Sequence, residues 1–187
     1  MRSEHDFLSQ KIKRIAIIPG SFDPMTKGHT DIVKRAAAIF DYVVVAVMVN
    51  PAKSLTQMFT YDERKRIAEA SCKDIPNVKV IVSDGMLWEL ARNLGACAIV
   101  KGVRNTSDFE YEQEMAKFNH EHNPDAETVY LPAYDVFCNI SSTAVREMLW
   151  HTDTEAVTEK LSGLIEPCAV DTVKEIFADK CRKKSIN

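Results

Sequence analysis

Neither G-x-x-x-x-G-K-[ST] nor G-x-G-x-x-G occurs in this chain, so neither a Walker-type phosphate loop nor the usual dinucleotide fingerprint is on offer. Zinc spacing is missing too. There is no C-x-x-C pair, and His120 and His122, two apart on a predicted helix, lie on different faces and read as surface residues. Cysteines at 72, 97, 138, 168 and 181 are odd in number and unpaired by motif, which makes a reducing cytoplasm the simplest home. No apolar stretch approaches the ~20 residues that a membrane span needs, and the opening MRSEHDFLSQK has no apolar signal core. Basic residues are not in excess either, 24 against 27 acidic for a net charge of −3, so a general attraction to nucleic acid is unsupported. Any phosphate ligand must be held by locally placed cations. Internal repeats and low-complexity tracts are absent.

What is present is an alternation of strand-like and helix-like runs in 187 residues, 45% of them hydrophobic, enough for one core and by default one domain. Strands are predicted at 14–18, 42–49, 78–82, 96–100 and 128–132, all rich in Val and Ile and largely unalternating, so each wants cover on both faces. Helices are predicted between them at 28–40, 60–73, 85–95 and 107–123. Thr60 with Glu63 forms a capping box for the second, and Ser107 or Asp108 caps the fourth. This order implies an α/β fold, a doubly wound parallel five-stranded sheet of Rossmann-like form with right-handed crossovers. After Pro132 come a loop, YDVFCN, a helix from about Ser142, and two helical stretches at 154–163 and 169–180. The apolar stripe Val170, Val173, Ile176 and Phe177 in the last should pack on the domain. The division is thus an N-terminal extension at 1–11, a core at 12–150 and C-terminal helices at 151–187 packed on it. Residues 1–11 and 182–187 are polar and read as disordered tails.

The most informative stretch is PGSFDPMTKGH at 19–29, between the first strand and the first helix. Gly20 permits a tight turn or a close ligand approach, Pro24 fixes φ, and Gly28 with His29 stands where a helix exposes unpaired N–H groups. An anion there meets main-chain donors, the positive end of a helix and an imidazole able to donate. In a doubly wound sheet ligands lie beyond the carboxyl ends of the strands, where PGSFDP, NPAKS and KGVRNT all fall, so these three loops should converge.

GSFDPMTKGH, NPAKS followed by MFTYDERKR, VKGVRNTSDFEYE and NISSTAVRE together resemble the bacterial phosphopantetheine adenylyltransferases over about residues 14–150. The x-x-G-H and ISST elements belong to the wider nucleotidyltransferase superfamily; KGVR followed by DFEYE is the discriminating signature. The resemblance implies transfer of the adenylyl group of ATP to 4′-phosphopantetheine, giving dephospho-coenzyme A and pyrophosphate, with Mg2+ riding on the ATP phosphates and usually in a homohexamer.

By resemblance, His29 donates to the α-phosphate in the transition state, and Ser21 binds both the acceptor phosphate and the nucleotide. Lys53 and Lys101 meet the acceptor phosphate and Leu87 lines the pantetheine arm. Gly102, Val103 and Arg104 line the ATP site, with Arg104 on the β- or γ-phosphate, and Glu112 holds the nucleotide or orders Arg104. Phe22 and the run Phe137, Cys138, Asn139, Ile140, Ser141, Ser142 and Thr143 complete the ATP site. The family often has Arg where this chain has Lys101, and commonly an aromatic residue just before ISS, where this chain has Cys138 and Asn139 with Phe137 a step further away.

The chemistry explains why such residues are wanted. A phosphate monoester is already a dianion near neutral pH, so no general base is needed; the difficulty is to bring two polyanions together and stabilise charge on the α-phosphate and departing pyrophosphate. Two alternatives stand beside this reading: a related transferase using glycerol phosphate or nicotinamide mononucleotide, and a non-catalytic nucleotide-binding module.

Overall fold

The computed structural model describes residues 13–49, 57–151 and 157–184. Lys53, and the start of the helix placed at 154, lie outside the described residues. The strands are β1 (Ile15–Gly20), β2 (Tyr42–Met48), β3 (Val78–Ser83), β4 (Ala98–Val103) and β5 (Glu127–Pro132). All pair in parallel, in the order β3-β2-β1-β4-β5, which is the α/β sheet expected from the sequence. The helices are α1 (Lys27–Ile39), α2 (Tyr61–Cys72), α3 (Leu87–Leu94), α4 (Thr106–His122), α5 (Asp135–Cys138), α6 (Ser142–Trp150), α7 (Val157–Leu164) and α8 (Pro167–Lys184).

Both faces of the sheet are apolar, and parity along each strand sorts the residues. Ala16, Ile18, Val43, Val45, Val47, Ala98 and Val100 share a buried cluster with residues of α1, α2, α6, α7 and α8. Ile17, Val44, Ala46 and Ile99 face the other way, onto Ala91 and the leucines of α3. Burying each of the Val, Ile and Leu side chains contributes about 1.5–3 kcal/mol. Val170, Val173, Ile176 and Phe177 are all buried in the first cluster. The helix carrying them continues through Lys184, so the tail read as starting at 182 is in part helix.

Three local readings change. β4 runs to Val103 and not to 100, because Gly95, left-handed at φ 59, closes α3 and delays the strand while pairing with β5 continues to Val103↔Pro132. Lys101, Gly102 and Val103 therefore belong to a strand, not to a loop beyond it. The cap of α4 is Asn105, whose side chain accepts from the Asp108 N–H at 2.8 Å, and not Ser107 or Asp108. The YDVFCN loop holds one helical turn, α5. The Thr60 and Glu63 capping box is present, with Thr60 N–H donating to Glu63 Oε2 at 2.7 Å.

The feature that positions a site is the seam between β1 and β4. They pair only at Ala16↔Ala98 and Ile17↔Ile99, whereas β1 and β2 pair from Ile15↔Tyr42 to Gly20↔Val47. Ladder contact stops there although both strands continue. Their onward residues, Ile18 to Gly20 and Val100 to Gly102, border a cavity. This is the topological switch point, where strand order reverses and doubly wound sheets bind ligands.

Candidate active site

The loop leaving β1 is shaped by Phe22. Its backbone is left-handed (φ 43) and its side chain is buried at 2% exposure. A Cβ at position 20 would lie 2.7 Å from the Phe22 ring, so the ring occupies space that only glycine leaves open. The Phe22 ring meets His29 edge-on, with centroids 5.2 Å apart.

Thr26 opens α1, and its backbone N–H donates to His29 Nδ1 at 3.0 Å; Thr26 Oγ1 lies 2.9 Å from the same nitrogen. An N–H can only donate, so Nδ1 is the acceptor and the neutral ring carries its proton on Nε2. Burial first, and then the charge of Arg104, push the His29 pKa from 6.5 down to about 4. In the folded protein His29 is thus a neutral donor, not a cation, and it also completes a cap.

The sign of the resulting pH effect follows. Protonation favours the unfolded chain, whose histidine has the higher pKa, so the contribution is intact above about pH 6.5 and is lost as pH falls toward about 4. Ring titration followed by NMR is expected to show His29 with a midpoint near 4. A midpoint near its ordinary value would contradict the buried, Thr26-bonded ring.

Two cavities meet at this imidazole. One, of about 530 Å³, lies between the ends of β1 and β4 and helices α3 and α4, lined by the apolar Met48, Met86, Leu87, Trp88, Met115 and Phe118 and by Lys101. The other, of about 570 Å³, lies between the starts of α1, α4 and α6 and is bordered by Gly28, Arg104, Asp108, Phe137 and Ser141 to Thr143. Ser21, His29, Ile32, Gly102, Tyr111 and Glu112 border both. Gly102 is needed for closeness here, since a Cβ would lie 2.9 Å from Ile32 Cγ1 and push back the helix that carries His29.

The cations are held by carboxylates. Lys101 Nζ lies 2.8 Å from Glu112 Oε2, and Arg104 Nε lies 2.8 Å from Asp108 Oδ2. Glu112 thus orders Lys101 and not Arg104, which is taken by the nearer carboxylate at i+4. Leu87 does two things at once, bordering the first cavity and packing on the α3-side core.

At the start of α6, Ser141 caps the helix by accepting from the Ala144 N–H at 3.1 Å, and Thr143 Oγ1 accepts from Arg146 at 3.2 Å. Both hydroxyls keep a proton to donate. The Ser142 hydroxyl is spent on Pro24 O at 2.8 Å. Phe137 and Ile140 border the second cavity, but Cys138, Asn139 and Val103 do not, and Phe22 borders only the first.

Residues to which the motifs assign no role also shape the site. Asp23, Thr26 and Arg64 all lie within quoted motifs, and Arg64, in a charged run, DERKR, that reads as a solvated helix face, is fully buried. Arg146 reaches Asp23 O at 2.7 Å across 123 positions. Trp88 borders the first cavity with no motif to mark it, and Tyr111, inside the DFEYE signature but given no role there, borders both.

The shared region offers donors to anions from two sides, and an apolar slot on one. Its imidazole is neutral and its carboxylates are engaged by cations, so it is built to hold and align phosphates more than to abstract a proton. On a parallel sheet at its switch point, that is a site for a nucleotide and a second phosphate-bearing ligand. The cytidylyltransferase-like family model matches residues 17–148. The phosphopantetheine adenylyltransferase of Caldanaerobacter subterraneus subsp. tengcongensis is 42% identical over 91% of this chain and 99% of its own length. That of Chloroflexus aurantiacus is 49% identical over 72% of this chain and 83% of its own. Among solved structures, Plasmodium falciparum nicotinic acid mononucleotide adenylyltransferase complexed with NaAD superposes with a TM-score of 0.61 at 15% identity, covering 88% of this chain and 96% of that one, a likeness of fold. The chain belongs to the phosphopantetheine adenylyltransferases, enzymes of the cytidylyltransferase-like family.

Proposed function

We propose that the hydroxyl-lined cavity takes the triphosphate of ATP, that the apolar cavity takes the arm of 4′-phosphopantetheine, and that the adenylyl group passes between them beside His29, giving dephospho-coenzyme A. The observation that carries this is the shared wall, since the one imidazole borders both cavities. An oxygen of the acceptor phosphate attacks the α-phosphorus, a new P–O bond forms, the α–β bridging bond breaks, and its electron pair leaves with pyrophosphate. The His29 Nε2–H donates to the α-phosphate oxygen as charge builds there. Arg104 turns from Asp108 to the β- or γ-phosphate through its forked donors. Lys101 turns from Glu112 to the acceptor phosphate, and Lys53 is assigned the same phosphate by family resemblance. Ser141, Thr143 and the opening N–H groups of α6 serve the triphosphate.

Mg2+ fits this donor set as an ion carried by substrate. Asp108 and Glu112 border the nucleotide cavity and each already faces a cation, so the ion would be held by substrate phosphate oxygens and would supply charge neutralisation on the triphosphate. The homohexamer implied by the resemblance is proposed with it, since Tyr134, Val136 and Trp150 are large apolar side chains exposed on a single copy. Among the described residues no helix is long and apolar enough to cross a membrane; with every cysteine a free thiol, we place the enzyme in the cytoplasm.

Purified protein incubated with ATP or CTP and one acceptor at a time tests the reading. Pyrophosphate and dephospho-coenzyme A are expected from ATP with 4′-phosphopantetheine. Turnover only with glycerol phosphate or nicotinamide mononucleotide would reject the acceptor, and no turnover with any would favour a silent nucleotide-binding module.

A further inference from the structure

Asp23 is a buried carboxylate, at 4% exposure, that borders neither cavity. Its Oδ2 accepts from the Met58 N–H at 3.1 Å and its Oδ1 from the Phe59 N–H at 2.9 Å. Two guanidiniums flank it, Arg64 Nε at 3.2 Å and Arg146 Nη1 at 3.6 Å. Each of them reaches on to another part of the site. Arg64 donates to Phe59 O at 2.8 Å and to Ser21 O at 3.3 Å. Arg146 donates to Asp23 O at 2.7 Å and to Thr143 Oγ1 at 3.2 Å, beside the Ser142 bond to Pro24 O.

One carboxylate therefore joins three segments far apart in the chain: the loop that bears Ser21 and leads to His29, residues 58 and 59, and the first turn of α6. A buried ion cluster is weak support for stability in itself, because desolvation offsets much of the attraction. What charges supply here is direction, since each bond fixes the angle as well as the distance of a site segment.

We propose that Asp23 is a positioning residue for the transfer reaction, holding the phosphate cradle of Ser141 to Thr143 and the backbone of Ser21 in register with His29. The proposal rests on the reaction proposed above. It acts through Arg146 and Arg64, without touching substrate.

Asp23→Asn keeps the shape but turns an amide toward one of the two N–H groups and removes the charge between the guanidiniums. The expected result is a kcat about 10²-fold lower, the scale of a site misplaced by about 1 Å, with the calorimetric Kd for ATP within about 5-fold, its free energy set mainly by contacts that Asp23 does not make. Arg146→Met cuts only the arm to α6 and is expected to lower kcat with the same sparing of Kd. The double variant should lose no more than the worse single one, because both break one link. Circular dichroism and Tm establish that each variant is folded. If Asp23→Asn does not fold, Arg146→Met alone decides. Undiminished kcat in a folded Asp23→Asn or in Arg146→Met, or losses that multiply in the double variant, would overturn the proposal. Wild-type turnover is measured first: its absence rejects the proposed reaction, while normal wild-type turnover with undiminished variants rejects only the role of Asp23.

Discussion

His29→Ala is expected to lower turnover about 10²- to 10³-fold, the usual cost of removing one donor to charge that develops in a transition state, while ATP still binds nearly normally. Binding should survive because, in the proposed arrangement, the triphosphate keeps Arg104, the α6 N-terminus and the hydroxyls of Ser141 and Thr143. Turnover should not, because the His29 ring borders both cavities and is held by the bond from Thr26 N–H to Nδ1 at 3.0 Å, which leaves its Nε2–H to donate. Loss of the cap acceptor should cost about 1 kcal/mol of stability, too little to unfold the chain and measurable by denaturant titration. Steady-state kinetics beside ATP calorimetry reads both effects. Unchanged turnover would remove His29 from the mechanism.

Lys101→Met is expected to act on the other substrate. Methionine keeps much of the stem and removes the charge, leaving Glu112 as an uncompensated carboxylate on the boundary between the cavities. The acceptor phosphate then loses a charge-assisted bond worth about 1.5–3 kcal/mol and gains a repulsive neighbour. KM for 4′-phosphopantetheine should rise about 10- to 10²-fold on that scale, with kcat also reduced and ATP affinity weakened to a lesser extent, because Glu112 borders the nucleotide cavity too. Lys101→Arg, the residue the family often carries, should keep turnover within about 10-fold, since charge persists and only its geometry changes. A normal acceptor KM in Lys101→Met would place the acceptor phosphate elsewhere.

The strand and helix order was legible because parallel strands buried on both faces appear as unbroken Val and Ile runs, with helix signals between them. Element ends were less so. The end of β4 is Lys101-Gly102-Val103, polar and small where it borders a cavity, so its composition reads as loop while its ladder with β5 continues. The loop of Ser21 and the end of β4 with Lys101 and, just after it, Arg104 were brought together by topology alone, since ligands of such sheets gather at one rim. Which carboxylate meets which cation was not legible: Lys101 and Arg104 are three residues apart, and only the helix that starts at Thr106 decides that Asp108 takes one and Glu112 the other. The partnership of Asp23 with Arg64 and Arg146 was equally hidden, because a buried arginine in a charged helix looks like a solvated one until its neighbours across the chain are known.

The most direct measurement is a crystal structure with a non-hydrolysable ATP analogue and 4′-phosphopantetheine bound together. Expected is an acceptor phosphate oxygen about 3–3.5 Å from the α-phosphorus, the spacing of a near-attack arrangement, with the His29 Nε2 on an α-phosphate oxygen and Lys101 on the acceptor. Substrates seated in separate places, or an imidazole turned from the α-phosphate, would contradict a shared site at the seam of β1 and β4.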